Sequence, residues 1–133
     1  IASSNANLVM VGGTTATNLP TGSYTYNGTN IIGNRDGSYS EQGTFAMSVD
    51  FSNSTAAISG STASSTFGGT GISINTSTGN FADTGIAMTV NGGASVPASI
   101  SGQFNGNGAT GVTGIYHDNS NNPLTVGMFA GER

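Results

Sequence analysis

The sequence predicts an all-β chain: a small up-and-down antiparallel β-barrel of about eight strands, preceded by an N-terminal extension. Three observations carry that reading. Bulky apolar residues recur at every second position over short runs, which puts them on one face of a strand. Gly, Asn, Asp and Ser clusters separate the runs at regular intervals, as turns require. No window gathers Ala, Leu, Glu and Lys in the way a stable helix needs.

The elements follow in order. LVMVGG (8–13) is a short apolar run, and TTATNLP (14–20) reads as a crossing segment. TGSYTYNGTN (21–30) alternates, with Tyr24 and Tyr26 on one face and Thr25 on the other. NRDG (34–37) is a turn signal. TFAMSVDF (44–51) is the clearest strand, with Phe45, Met47, Val49 and Phe51 sharing a face. AAISGS (56–61) returns with Ile58 inward, and TFGGTGISIN (66–75) sets Ile72 and Ile74 in phase. TSTGN (76–80) is a hairpin turn from which Phe81 leads into GIAMTVNGG (85–93), where Ile86, Met88 and Val90 alternate. SVPASISGQFNG (95–106) aligns Val96, Ala98, Ile100 and Phe104. GVTGIYHD (111–118) and PLTVGMFAG (123–131) are the last pair. Short strands with a single apolar face, joined by hairpins, describe a closed sheet filled by its own side chains. Gly60, Gly102 and Gly114 stand where such a barrel needs to bend. Residues 1–18 form an extension or extra strand, and residues 19–133 the barrel.

Composition narrows the function. Only 6 % of the 133 residues are charged, and Arg35 and Arg133 are the only basic ones, for a net charge of −4. Nucleic-acid binding needs clustered Lys or Arg, and a polybasic membrane patch needs the same. With no Cys there are no disulfides or iron–sulfur clusters. No run reaches the length of a membrane-spanning helix. The outward-facing positions are Ser, Thr, Asn and Gly, unlike the lipid-facing band of an outer-membrane barrel. The start at Ile1 marks a mature product or an excised segment, and the scarcity of charge suggests an extracellular or cell-surface location.

Candidate sites are few. His117 is the only histidine, so a haem-ligand or acid–base role would rest on it; beside a turn it also reads as an ordinary surface residue. The carboxylates are scattered, with no metal-ligand spacing, and Asp118 with the following Asn residues reads as an Asx-turn. Methionines read as gap-fillers. Of the four tyrosines, Tyr116 is the one taken as an interaction residue. Leu8, Val9, Met10 and Val11 are apolar enough to pair with a neighbouring chain.

The last third carries more than periodicity. Gly102, Phe104, Gly106, Ala109 and Gly114, followed by Gly127, Phe129, Gly131 and Arg133, fit an ordered Gly/Phe signature ending in Gly-x-Phe-x-Gly-x-Arg. Upstream, LPTGSYTYNGT (19–29) and GTFAMSVDFSNSTAAISG (43–60) fit an opening strand and a hairpin of the same pattern. Together these stretches resemble the transferrin-binding-protein-B-like β-barrel family of bacterial surface lipoproteins. The chain departs from the family pattern at Thr110 and Gly111, where a Glu usually follows the Ala, and at Ala130, where Gly is usual.

The resemblance implies a non-enzymatic, secreted or surface-displayed barrel that binds a protein partner and needs no cofactor. Two alternatives stand beside it: a structural subunit of a filament or surface layer joined through residues 1–13, and a small carrier of haem or another apolar ligand. Within the closing strand, Phe129 is expected inward between Gly127 and Gly131, with Met128 outward and Arg133 latching the terminus to a carboxylate.

Overall fold

A computed structural model describes residues 16, 18–120 and 124–133. Within them the chain forms eight strands: β1 (Ser23–Asn34), β2 (Ser40–Asp50), β3 (Thr55–Ser61), β4 (Thr66–Asn75), β5 (Asn80–Thr89), β6 (Ser95–Asn105), β7 (Gly111–Asp118) and β8 (Thr125–Glu132). Each strand pairs antiparallel with the next, and β8 returns to β1 to close the barrel. Closure gives every strand two partners, so the sheet has no free edge along its length. The predicted architecture is the one found. Several boundaries differ: β1 runs on to Asn34 and β2 starts at Ser40, and β5 begins at Asn80, because Phe81 and Ala82 already pair with Ile74 and Ser73 of β4.

Alternation selects the inner face as the sequence suggested. Phe45, Met47, Val49, Phe51, Ile58, Ile72, Ile74, Ile86, Met88, Ala98, Ile100 and Phe104 are all buried. Phe129 is buried too, while Met128 beside it faces outward and is half-buried. Val96, in phase with Ala98, is exposed because it lies at the very end of the barrel.

The glycines have a different reason from the expected bends. Across the sheet, inward rows alternate glycine with aromatic residues. Phe45 of β2 stands between Gly28 of β1 and Gly60 of β3, and Gly60 also faces Phe67 of β4. Phe81 faces Gly102, Phe129 faces Gly114, and Tyr116 faces Gly127. A Cβ on Gly102 would stand 2.5 Å from the Phe81 ring. On Gly60, Gly114 or Gly127 it would overlap the ring of Phe67, Phe129 or Tyr116. Each ring therefore lies over its cross-strand neighbour, in space that any other residue would occupy. The rings then meet one another: Phe67 stacks on Tyr116 at 3.9 Å, and Phe45 meets Phe129 edge-on at 5.0 Å. Contacts of this kind contribute about 0.5–1.5 kcal/mol beyond the area they bury.

One polar pair sits inside this core. Asn30 is buried, and its Oδ1 accepts a hydrogen bond from the Tyr116 hydroxyl. Burial pushes the Tyr116 phenol well above its ordinary pKa, so it remains a donor to Asn30.

Two substitutions test this packing by urea unfolding. Phe129→Ala should lose about 3–5 kcal/mol, as large aromatic truncations in cores do. Gly127→Ala, which adds one methyl, should lose about 1–3 kcal/mol by driving the Tyr116 ring off its seat. A Gly127→Ala protein as stable as the parent would show that the ring does not occupy that space.

Candidate functional site

The strand order gives the barrel two ends with different characters. One end, the floor, gathers the turns at 51–54, 76–79 and 106–110 with Ala16, Asn18–Gly22 and Arg133. The other end, the rim, gathers the turns at 35–39, 62–65 and 90–94 with the segment that follows Asp118.

The floor is closed by the chain itself. Ala16 N–H donates to the Phe104 carbonyl at 2.9 Å, and Asn18 Nδ2 donates to Asn107 Oδ1 at 3.1 Å. Ala16 and Leu19 pack against the core. Arg133 does latch the terminus, but not to a carboxylate. Its guanidinium lies 4.5 Å over the Tyr24 ring, and Nη2 donates to the Gly108 carbonyl at 2.9 Å. A flat cation on an aromatic face makes this contact without a charged partner. The Tyr26 hydroxyl donates to the Ala109 carbonyl at 2.5 Å.

The rim is organised by two carboxylates. Glu41 continues the inward phase of β2 to the barrel end. Its Oε1 accepts from the Tyr39 hydroxyl at 2.7 Å, from Thr62 Oγ1 and from Ser64 N–H; its Oε2 accepts from Ser64 Oγ at 2.8 Å. A relay extends outward from Tyr39: its oxygen accepts from Ser65 Oγ at 2.5 Å, and Ser65 Oγ accepts Asn91 N–H at 2.9 Å. One carboxylate thus ties three rim turns together. Thr62, Tyr39 and Ser64, all neutral donors, hold the Glu41 carboxyl down to about 2.

Asp118 does the same for the last turn. Its Oδ1 accepts from Ser120 N–H at 3.0 Å, and its Oδ2 from Leu124 N–H at 3.1 Å and Thr125 N–H at 2.9 Å. The Asx-turn reading of this residue holds. Partial burial works against the charge, but these donors outweigh it and leave the carboxyl below its ordinary range.

Between the two organised turns lies a cleft of about 520 Å³, lined by Val90, Ala94, Val96, Pro97, Leu124 and Thr125 among others. Val96 is 38 % and Leu124 47 % exposed, two of the three large hydrophobics exposed among the described residues. The cleft exists because β6 outruns its neighbour. Ser95–Pro97 pair with β5, but β7 pairs with β6 only from Ala98 onward. Pro97 sits at this step; it accepts Asn119 N–H at 3.1 Å and has no N–H of its own to offer an added strand. The notch is therefore suited to a side chain rather than to strand addition.

The predicted site residues scatter. His117 lies on the outward face of β7, half-buried and outside the cleft lining; its Nδ1–H donates to the Asp118 carbonyl at 2.8 Å. Tyr116 cannot be a surface contact: it is 1 % exposed, because alternation turns it inward onto Phe67 and Asn30. Leu8, Val9, Met10 and Val11 lie outside the described residues. The cleft was missed, since Val96 reads as one more inward residue until the shorter β7 leaves it uncovered. Leu124 beside Pro123 was the available signal: a large aliphatic residue in a turn of Asn and Ser.

The Glu41 network generates a pH prediction. Folding lowers this carboxyl from 4.5 to about 2, so its contribution is complete above about 4.5 and is lost as the pH falls towards 2. Glu41→Gln should flatten the acid limb of stability against pH, measured by urea midpoints, and should lower stability at neutral pH. Superimposable acid profiles would show that these donors do not hold the carboxylate.

No protein-family model matches the chain, and no curated protein matches it. Solved structures do. Over 84 % of this chain, transferrin binding protein B of serogroup B Neisseria meningitidis aligns at 19 % identity and a TM-score of 0.63. A point mutant of transferrin binding protein B from Actinobacillus pleuropneumoniae H49 aligns over 91 % at 16 % identity and a TM-score of 0.67. A protein described as a surface lipoprotein aligns over 91 % at 17 % identity and a TM-score of 0.66. The chain spans 26 %, 66 % and 65 % of those three chains, respectively. At such identities the likeness is one of fold, and the fold is the β-barrel of the transferrin binding protein B structures.

Proposed function

We propose that this chain is a non-enzymatic, surface-displayed binding module that engages a protein partner through the rim cleft between Val96 and Leu124. The observation that carries the reading is the pairing of these two exposed aliphatic side chains across one largely apolar notch. Folding gives no reason to leave them there. The core is already filled by aromatic rings, and the same rim devotes two carboxylates to holding the flanking turns in place. A rigid, partly apolar notch with a polar margin is the anatomy of an interface anchor.

Two further features support a binding role. Glu41 and Asp118 are saturated by neutral donors from the rim turns, which suits scaffolding rather than proton transfer. Several structures that share the barrel carry names that record transferrin binding, and another is described as a surface lipoprotein. These names motivate a cell-surface setting and make transferrin the first partner to try. The apolar-ligand reading rests on the same notch, whose volume suits a small molecule. His117 lies outside its lining, so a ligand held there does not use that imidazole.

Immobilised barrel exposed to iron-loaded and iron-free transferrin, and then to host serum, tests the proposal. The Val96→Asp/Leu124→Asp double variant should weaken capture by about tenfold or more, the effect of losing an interface anchor. Ile115→Asp, on the outer wall, should leave it unchanged. Capture that survives the rim change and fails with the wall change would move the interface to the barrel side. No capture from any source would overturn the protein-partner reading.

A further inference from the structure

The chain contains four Asn-Gly dipeptides: Asn27-Gly28, Asn91-Gly92, Asn105-Gly106 and Asn107-Gly108. In such a pair the glycine has no Cβ to shield its backbone nitrogen. That nitrogen, once deprotonated, attacks the Asn Cγ. A new C–N bond closes a succinimide ring, the Cγ–Nδ2 bond breaks, and the amide nitrogen leaves as ammonia. Water then opens either ring carbonyl, giving aspartate or its backbone-lengthened isomer, isoaspartate. No oxidant and no enzyme are needed.

The fold treats the four pairs differently. Gly28 lies inside β1 and pairs with both Phe45 and Gly131, so attack would have to tear the strand from its ladder. Gly92 N–H is committed to the Ser64 carbonyl at 2.8 Å, and Asn91 N–H to Ser65 Oγ at 2.9 Å. Asn105 is buried, and both ends of its amide are engaged: Oδ1 accepts from Gln103 Nε2 at 2.8 Å, and Nδ2 donates to Thr113 Oγ1 at 3.1 Å. Asn107 and Asn91 are both exposed, but Asn107 has only an exposed contact from Asn18 on its amide oxygen, and no described residue accepts the Gly108 N–H.

We propose that Asn107 is a self-modification site, at which the folded chain converts the exposed Asn107 amide of the floor turn into a carboxylate. The aspartate product fits its surroundings. Its oxygen still accepts from Asn18 Nδ2, and the new negative charge lies in the turn whose Gly108 carbonyl already receives Arg133. The isoaspartate product does not fit. Its extra backbone atom lies just before the Gly108 and Ala109 carbonyls, which receive Arg133 and Tyr26, so it displaces both latches of the floor. The site thus sets the charge and the tightness of the floor without touching the rim.

The test follows intact chain held in mildly alkaline buffer at body temperature, with peptide mapping by mass spectrometry for amide-to-acid conversion and enzymatic methylation for isoaspartate. A denatured sample, in which all four pairs are free to react, gives the chemical baseline. In the folded protein, Asn107 should convert at least about tenfold faster than Asn27, Asn91 and Asn105, which react only through local opening. Asn107→Gln should remove the fast conversion. Conversion of any of the other three at an equal rate in the folded chain would overturn the assignment. So would an Asn107 that stays intact when folded while converting in the denatured sample.

Discussion

The structure depends on one packing rule: an aromatic ring inside the barrel lies over a glycine on the neighbouring strand. An eight-stranded barrel has an interior only wide enough for side chains, and a full set of large residues at every inward position would not fit. Gly60, Gly102, Gly114 and Gly127 remove side chains at the points where Phe67, Phe81, Phe129 and Tyr116 spread. The same rule fixes register. A slip of one residue would turn each ring to the outer face and put a polar side chain inside. Glycine normally weakens a strand through lost entropy, so a chain this rich in glycine holds its sheet only because closure and ring packing offset that cost.

Much of this was legible in the sequence, and the reason is the strict two-residue period of a strand. Phe45, Met47 and Val49 announced an inner face that burial bears out, and Phe129 between two glycines announced its own orientation. What could not be read was the partner of each glycine, since that depends on which residues stand opposite after closure. Gly114 looked like a bend until Phe129 was placed across from it. Tyr116 went astray for a related reason. A tyrosine near a turn fits a surface as well as a core, and only the buried Asn30, 86 positions away, supplies the hydroxyl partner that makes burial tolerable.

The ends of the barrel were less legible than its wall. Glu41 looked like one isolated carboxylate among several, because its donors come from Tyr39 on one turn and from Thr62 and Ser64 on another. Such networks are assembled by topology: β2, β3 and β4 must already be in register before the four groups meet. The exchange runs the other way as well. By gathering the turns, Glu41 and Asp118 convert flexible connections into a fixed frame, and a side-chain notch keeps its shape only inside a fixed frame.

Closure also constrains where recognition can occur. Along the wall the backbone donors and acceptors are spent on neighbouring strands, so a partner finds only side chains there, and these are mainly Ser, Thr, Ala and Asn. Small polar side chains offer hydrogen bonds that water offers equally well, and they bury little apolar area. At the floor, Ala16, Leu19, Tyr24 and Arg133 are committed to covering the core. At the rim, the strand lengths do not match, and β6 projects Val96 beyond the end of β7 to face Leu124. Among the described residues, the wall exposes one large aliphatic side chain, Ile115, whereas the rim gathers two in one notch, whose burial would return more hydrophobic free energy to an incoming partner. The step in strand length between β6 and β7 is therefore what opens the notch at the rim.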